Sequence, residues 1–164
     1  MLILKPLSLA LFRDITPGDC YYVSRYDDVM LVLAIDPAFK DDQPALLVLS
    51  SKSEPETALY EVLNGGGFIH DVFAKVDGCT VCPSVRIEDV CVAAGQTPPI
   101  GSLVIGQNGL VIVANGGGGQ KVMIDVASGA TVDRLPRRCF WFSKWQIGVK
   151  DRDGVFQDVC SINL

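Results

Sequence analysis

The chain has 164 residues, of which 49% are hydrophobic and 20% are charged. A chain of this size can bury a core of its own, either as one domain or as two small units that share an interface. Its 14 basic and 19 acidic residues give a net charge of −5, which argues against a protein that is basic throughout and coats nucleic acid.

The N-terminal sequence MLILKPLSLALF is apolar but lacks the pattern of a signal peptide. Lys5 and Pro6 interrupt the apolar run, and Arg13 and Asp14 follow it where a cleavage site needs small residues. No other run approaches the ~18 apolar residues of a membrane span. We therefore expect a cytoplasmic, unprocessed protein that has no membrane partner and whose first residues form an edge strand or a packing arm.

Turn and strand signals alternate from Thr16 onward. The turn sequence Thr16-Pro17-Gly18-Asp19 precedes a predicted strand over Cys20–Ser24. The continuous apolar run Val29–Ile35 predicts a strand that is covered on both faces, and Ala45–Leu49 predicts the next strand.

The middle of the chain carries the only helix signals. Ser53 and Pro55 at one end and Asn64-Gly65 at the other predict a short helix between them. Ser84–Ala94 fits both a helix and a strand, and Ile69–Val76 fits a strand. Thr97-Pro98-Pro99 is the clearest break, so we predict an N-terminal β-rich half over 1–96, with one or two short helices, and a C-terminal β-meander half over 97–164.

Gly101–Asp133 predicts a three-stranded meander. The apolar runs Leu103–Ile105 and Leu110–Ala114 flank Asn108-Gly109, a dipeptide that favours the positive φ angles of a type I′ hairpin turn. A third run over Lys121–Val126 alternates apolar and polar residues after a further turn.

The glycine tract Asn115–Gly119 fails as a phosphate-binding loop. Such a loop needs a helix after it and a serine or threonine after its lysine, whereas Lys121 is followed by the strand-like Val122-Met123-Ile124. We therefore predict a flexible hairpin tip.

The order of turns and strands before Leu49 parallels the order after Ile100. Pro17-Gly18-Asp19 aligns with Ile100-Gly101-Ser102, and Leu46–Leu49 aligns with Val122–Asp125, at a spacing of about eighty residues. Either the chain contains a structural duplication or two meanders share a common pattern. We predict an all-β fold with minor helix, built from SH3-like or meander barrel units that can form two related halves.

Six cysteines and one histidine limit the chemistry. In a reducing compartment we expect no disulfides and interpret the cysteines as buried thiols. The candidate zinc ligands are Cys79, Cys82, Cys91 and His70, but there is no second CxxC, and we predict no metal and no cofactor. Paired acids such as Glu88-Asp89 are interpreted as solvated turns. A single histidine and the absence of a GxSxG sequence leave no catalytic residue to assign.

Arg134–Trp145, RLPRRCFWFSKW, combines basic and aromatic residues without an acid. We predict that this stretch binds a partner through Arg137, Arg138, Phe140, Trp141, Phe142 and Trp145. The favoured function is a non-enzymatic binding or assembly module that associates with itself or with another protein, since tryptophan and arginine are enriched at interfaces. The alternatives are a single-stranded nucleic acid, whose bases stack on aromatic rings, and a small ligand.

Two short segments resemble a known family. PGDCYYV over Pro17–Val23 and QPALLVLS over Gln43–Ser50 resemble the first two strands of PemK/MazF-type toxin ribonucleases. The resemblance implies an SH3-like barrel and, as an alternative function, ribonuclease activity. Gln43 stands where that family has an arginine, and no later proline–threonine element follows, so the resemblance bears on local barrel geometry more than on activity.

Overall fold

The computed structural model of the chain describes residues 8–25, 27–36, 45–53, 60–68, 70–106, 108–150 and 153–163. In chain order, the strands in these ranges are β1 (Ser8–Leu11), β2 (Cys20–Arg25), β3 (Asp28–Ile35), β4 (Ala45–Ser51), β5 (Val62–Asn64), β6 (Val72–Lys75), β7 (Cys79–Pro83), β8 (Val90–Ala94), β9 (Leu103–Ile105), β10 (Leu110–Asn115), β11 (Lys121–Asp125), β12 (Arg138–Phe142), β13 (Lys144–Lys150) and β14 (Phe156–Asn163).

These strands form three antiparallel sheets, with orders β1-β6-β2-β3-β4-β5, β11-β10-β9-β12-β8 and β14-β13-β7. Three short 3-10 turns are the only helical elements in the described ranges, so the all-β prediction is confirmed. Each sheet has two edge strands, and none closes into a barrel within the described residues. In the same ranges, no helix is long and apolar enough to cross a membrane.

β3 is buried on both faces, as its apolar sequence predicts. Leu31, Leu33 and Ile35 belong to the central core, whereas Val32 and Ala34 belong to a second cluster on the opposite face of the sheet. A valine, leucine or isoleucine side chain contributes roughly 1.5–3 kcal/mol of stability when it is fully buried. The side chains of β3 therefore stabilise the packing on both faces of the first sheet.

The predicted meander Gly101–Asp133 is present as β9, β10 and β11. Ile105 pairs with Leu110, and Gly106 N donates to Gly109 O at 2.7 Å. The φ angle of Gly109 lies outside the left-handed region, so the hairpin is confirmed but the predicted type I′ turn at Asn108-Gly109 is wrong. The connection spans four residues, of which Gln107 lies outside the described ranges.

The glycine tract forms a hairpin tip between β10 and β11, where Asn115 pairs with Lys121. Gly116 N donates to Gln120 O at 2.8 Å, and the following glycines have φ angles of +102°, +60° and +81°. Such angles favour glycine because it lacks a Cβ atom. A strand follows the tract, as the sequence predicts.

The helix predicted between Ser53 and Gly65 is wrong over Val62–Asn64, which forms β5 and pairs with β4. Tertiary pairing overrides the local helix signals there, while residues 54–59 lie outside the described ranges. The ambiguous Ser84–Ala94 contains a 3-10 turn over Ile87–Asp89 and then β8. The strand predicted within Ile69–Val76 is confirmed as β6.

One core joins all three sheets. The central cluster includes Leu33 and Leu47 from the first sheet, Ile112 from the second, and Trp145 and Ile147 from the third. β7 and β13 are neighbours in the third sheet, where Val81 lies opposite Ile147, and both of these residues belong to this core. The proposed division at 96/97 stays a prediction.

The turns before β2 and β9 make the same backbone hydrogen bonds. Gly18 N donates to Ala34 O at 2.9 Å, and Ala34 N donates to Asp19 O at 3.0 Å. The corresponding bonds before β9 run from Gly101 N to Val113 O at 2.7 Å and from Val113 N to Ser102 O at 3.0 Å. Both glycines have left-handed φ angles, +86° for Gly18 and +90° for Gly101.

Candidate functional site

The predicted contact stretch, Arg134–Trp145, lies mainly on β12. Successive side chains of this strand point to opposite faces of the sheet. Cys139 and Trp141 pack against a cluster beneath the second sheet, while Phe142 is buried in the central core. Phe140 is 54% exposed. Arg137 and Arg138, next to each other where β12 begins, are also exposed.

Trp145 belongs to the core of this chain. Its side chain is 1% exposed, and its indole Nε1 donates to the carbonyl oxygen of Gly101 at 2.8 Å. Its ring also lies 6.1 Å from the ring of Tyr60, centroid to centroid. Of the six predicted contact residues, Arg137, Arg138 and Phe140 are accessible, Trp141 is half-buried, and Phe142 and Trp145 are buried.

Phe140 has an apolar partner that the sequence did not indicate. It lies directly opposite Val92 of β8, and Val92 is 62% exposed. The two side chains form an exposed apolar pair, which we call the β8–β12 strip. Single exposed apolar residues are ordinary, but two large ones in register on neighbouring strands form a continuous surface.

β8 is an edge strand, since within the described ranges only β12 pairs with it. Gly95 N donates to Arg137 O at 3.1 Å, and Ser143 N donates to Asp89 O at 3.2 Å. Antiparallel pairs alternate between bonded and non-bonded, so these two flanking bonds direct the odd-numbered residues of β8 toward β12. The backbone N–H and C=O groups of Val92 therefore point away from the sheet.

A groove that the sequence did not indicate lies between the segment after β7 and the start of β13. Its volume is about 580 Å³, and its lining includes Ser84, Arg86, Asp89, Lys144 and Phe156. The Asp89 carboxylate accepts from Ser84 Oγ at 2.6 Å and pairs with Lys144 Nζ at 3.0 Å. The Ser84 hydrogen bond and then the Lys144 ammonium lower the pKa of Asp89 below its ordinary value.

Asp89 is 4% exposed, so the interpretation of Glu88-Asp89 as a solvated turn is wrong for this residue. Its partner Lys144 is distant in sequence, and only the pairing of the strands brings the two together. The one local signal is Ser84, five residues before Asp89, which holds the carboxylate from within the same loop.

The candidate metal ligands are not brought together. Cys79 and Cys82 are three residues apart on β7, which directs them to opposite faces: Cys79 packs on the core and Cys82 lines the groove. His70 is exposed. Among the described residues, no three His, Cys, Asp or Glu side chains lie close enough to share a metal ion.

Cys79 instead meets Cys20 of β2. A hydrogen bond between the two thiols lowers the pKa of Cys79 and, together with burial, raises the pKa of Cys20. Burial alone raises the pKa of Cys139. All five cysteines whose side chains are described are free thiols.

Comparisons of the chain with protein-family models, with curated proteins and with solved structures found no match. Function is therefore inferred from the β8–β12 strip, the groove and the charges around them.

Proposed function

We propose that the protein is a non-enzymatic assembly module that associates with a second copy of itself through the edge of β8. The observation that supports this proposal is the β8–β12 strip, in which Phe140 and Val92 face each other in register with more than half of each side chain exposed. An edge strand with outward backbone groups and an apolar strip is a template for pairing with another strand.

A second copy suits this edge because a two-fold axis matches a surface with itself. If two β8 strands pair antiparallel near Val92, the strips of both copies become continuous and their apolar area is removed from water. The same arrangement places the basic end at Arg137 and Arg138 near the exposed acidic Glu88 of the other copy. These charges favour the antiparallel orientation and set the register.

Native mass spectrometry and size-exclusion chromatography test this proposal. We expect a dimer that dissociates in Phe140→Ser, because the exposed ring contributes to the interface and not to the core. Val92→Pro should act in the same way, since it removes an amide that points away from β12. The matched control is Val72→Ser, which removes an exposed apolar side chain from the first sheet. A monomeric wild type, or a dimer that survives both changes, would overturn the proposal.

Nucleic-acid binding is a second candidate, favoured by the exposed arginines beside Phe140. A single strand could place phosphates on Arg137 and Arg138 and stack a base on the ring. This function predicts salt-sensitive binding of a labelled single-stranded oligonucleotide, and no retention at low salt excludes it. The ribonuclease-like variant rests only on the resemblance to PemK/MazF toxins, and Gln43 lies outside the described ranges.

We also propose that the chain consists of two related halves, built around meanders β2-β3-β4 and β9-β10-β11. The shared turn hydrogen bonds of Gly18 and Gly101 support this, as does the use of β6 and β12 as the next neighbours of β2 and β9. When the β3–β4 register is matched to the β10–β11 register, Ala45 corresponds to Val122. The sequence pattern aligned Leu46 with Val122, so the two alignments differ by one residue. The division at 96/97 and the SH3-like type of each half stay predictions.

A reducing, cytoplasmic location is proposed as well. It is supported by the free state of every cysteine whose side chain is described. Labelling of thiols in freshly lysed cells, without added reductant, tests it: oxidised cysteines would contradict this location.

A further inference from the structure

We infer that the groove beside Asp89 binds a small organic carboxylate that carries an apolar group. Its volume of about 580 Å³ lies within the range of roughly 300–1,000 Å³ that small-molecule sites occupy. Neither Phe140 nor Val92 of the β8–β12 strip lines this groove, and the inference does not rest on the proposed assembly function.

The polar side chains at the base of the groove are held in position by contacts with one another. Asp89 is buried and receives one bond from Ser84 and one from Lys144, which together orient both partners. The Lys144 side chain remains 47% exposed, so its ammonium has N–H groups available on the groove side. A donor already held by a buried carboxylate loses little side-chain entropy when it binds a ligand.

Arg86 supplies the second cationic group. It lines the same groove as Asp89 and Lys144, and its side chain is exposed. The backbone of this segment is itself fixed, since Asp89 N donates to Arg86 O at 3.1 Å. A guanidinium offers two parallel N–H groups that match the two oxygens of a carboxylate.

The charges of the lining favour a single negative charge on the ligand. Arg86 and Lys144 carry two positive charges and Asp89 carries one negative charge, so one positive charge is left to be balanced. A monoanionic carboxylate balances it, whereas a phosphate monoester would bring close to two negative charges against Asp89.

Apolar side chains flank these donors. Phe156 and Val85 both line the groove, and Val85 is 99% exposed, an unusual environment for a side chain of its kind. An apolar group attached to the carboxylate would cover Val85 and Phe156 and contribute hydrophobic binding energy that an inorganic anion lacks.

An NMR titration of the isotope-labelled full chain with benzoate tests this inference. We expect saturable shifts confined to the amides of residues 82, 84–89, 144–146 and 156–161. Arg86→Gln should weaken benzoate by about tenfold, as the loss of one charge-assisted bond predicts, without unfolding because this side chain is exposed. Arg134→Gln, which also removes an exposed arginine and lies outside the groove lining, is the matched control and should leave the affinity unchanged.

Three further probes sharpen the result. Benzamide lacks the charge, acetate lacks the ring and phenyl phosphate carries the larger charge, so each should bind more weakly than benzoate. The inference is overturned if benzoate gives no saturable shift at these amides, if Arg86→Gln binds it as wild type does, or if benzamide or phenyl phosphate binds equally well.

Discussion

Tyr60 and Gly129, which follow the two meanders in the chain, make the same kind of contact. The carbonyl oxygen of Tyr60 accepts from Asn115 N at 2.7 Å, and the carbonyl oxygen of Gly129 accepts from Asp36 N at 2.9 Å. Each bond links the end of one meander to the other meander. The φ angles are +71° for Tyr60 and +68° for Gly129, so a left-handed residue supplies the acceptor in both bonds. Among the described residues, Tyr60 is the only one other than glycine with such an angle.

Gly129→Ala is expected to destabilise the protein far more than Gly119→Ala. Both glycines have left-handed angles, which cost about 1 kcal/mol for alanine. At Gly129 a Cβ would also lie 2.5 Å from Ala34 O and 2.7 Å from Gly18 N, whereas at Gly119 it would meet nothing within 4 Å. Overpacking of this kind adds roughly 1–3 kcal/mol. Urea denaturation measures both, and equal losses would show that the contact between the meanders tolerates displacement.

Trp145→Phe is expected to lower the free energy of unfolding by more than Trp141→Phe does. The first change removes the indole N–H that bonds the buried Gly101 carbonyl, and an unsatisfied buried acceptor costs about 1–3 kcal/mol. Trp141 is half-buried and its ring packs at the margin of a smaller cluster. Chemical denaturation compares the two variants, and a loss at Trp145 no greater than at Trp141 would refute the assigned role of the indole bond.

Asp28 connects stability to acid pH. Its carboxylate accepts from Ser51 Oγ at 2.5 Å and from the backbone N–H groups of Ser53 and Val29, and these bonds, Ser51 first, lower its pKa to about 2. A depressed folded-state pKa gives stability that is present above the ordinary pKa of about 4 and is lost as pH falls toward 2. Ser51→Ala should raise the pKa of Asp28 and move this loss to higher pH.

Carbon-13 NMR titration of the Asp28 carboxyl, with urea denaturation at several pH values, checks this expectation. Ser128→Ala is the control, because Ser128 Oγ donates instead to Asp125 and has no contact with Asp28 in the described structure. If Ser51→Ala leaves the titration of Asp28 in place, the hydroxyl is not the cause of the low pKa.

Cys79 is expected to react with iodoacetamide at lower pH than an ordinary thiol, because the Cys20 thiol stabilises its thiolate and lowers its pKa. Cys20→Ala removes this donor and should shift the pH dependence of Cys79 alkylation upward. Cys139→Ala, a buried cysteine in another cluster, is the matched control. Mass spectrometry of digests follows each site separately, and identical profiles for Cys79 in the wild type and in Cys20→Ala would contradict the thiol pairing.

The elements that the sequence predicted best are those specified locally. The apolar run of β3 and the glycines between β10 and β11 carry their own structural information, since burial on two faces requires apolar side chains and left-handed turns favour glycine. β5 was mistaken for helix because the pairing with β4, and not its own residues, determines its conformation. Arg137, Arg138 and Phe140 of the predicted contact residues are accessible, and their binding of a partner stays a prediction.

The contacts that the sequence did not predict join residues that are far apart in the chain. Val92 became a partner of Phe140 only through the β8–β12 register, and Lys144 reached Asp89 only through the contact of β13 with the loop after β7. In neither pair does the separation of the two residues in the sequence indicate that they lie together in the fold. The burial of Trp145 is of the same kind, because alternation along a strand does not reveal which face another sheet will cover.

The shared core also has a consequence for the order of synthesis. Strands β1 to β7 leave the ribosome before β9 to β13, yet Leu33 and Leu47 on the first sheet share one core with Ile112 and Trp145, which come later. The nascent chain therefore exposes a broad apolar surface until its last third has emerged. A fragment ending at Pro83 would retain that surface permanently, and we expect it to be bound by chaperones or to aggregate rather than fold alone.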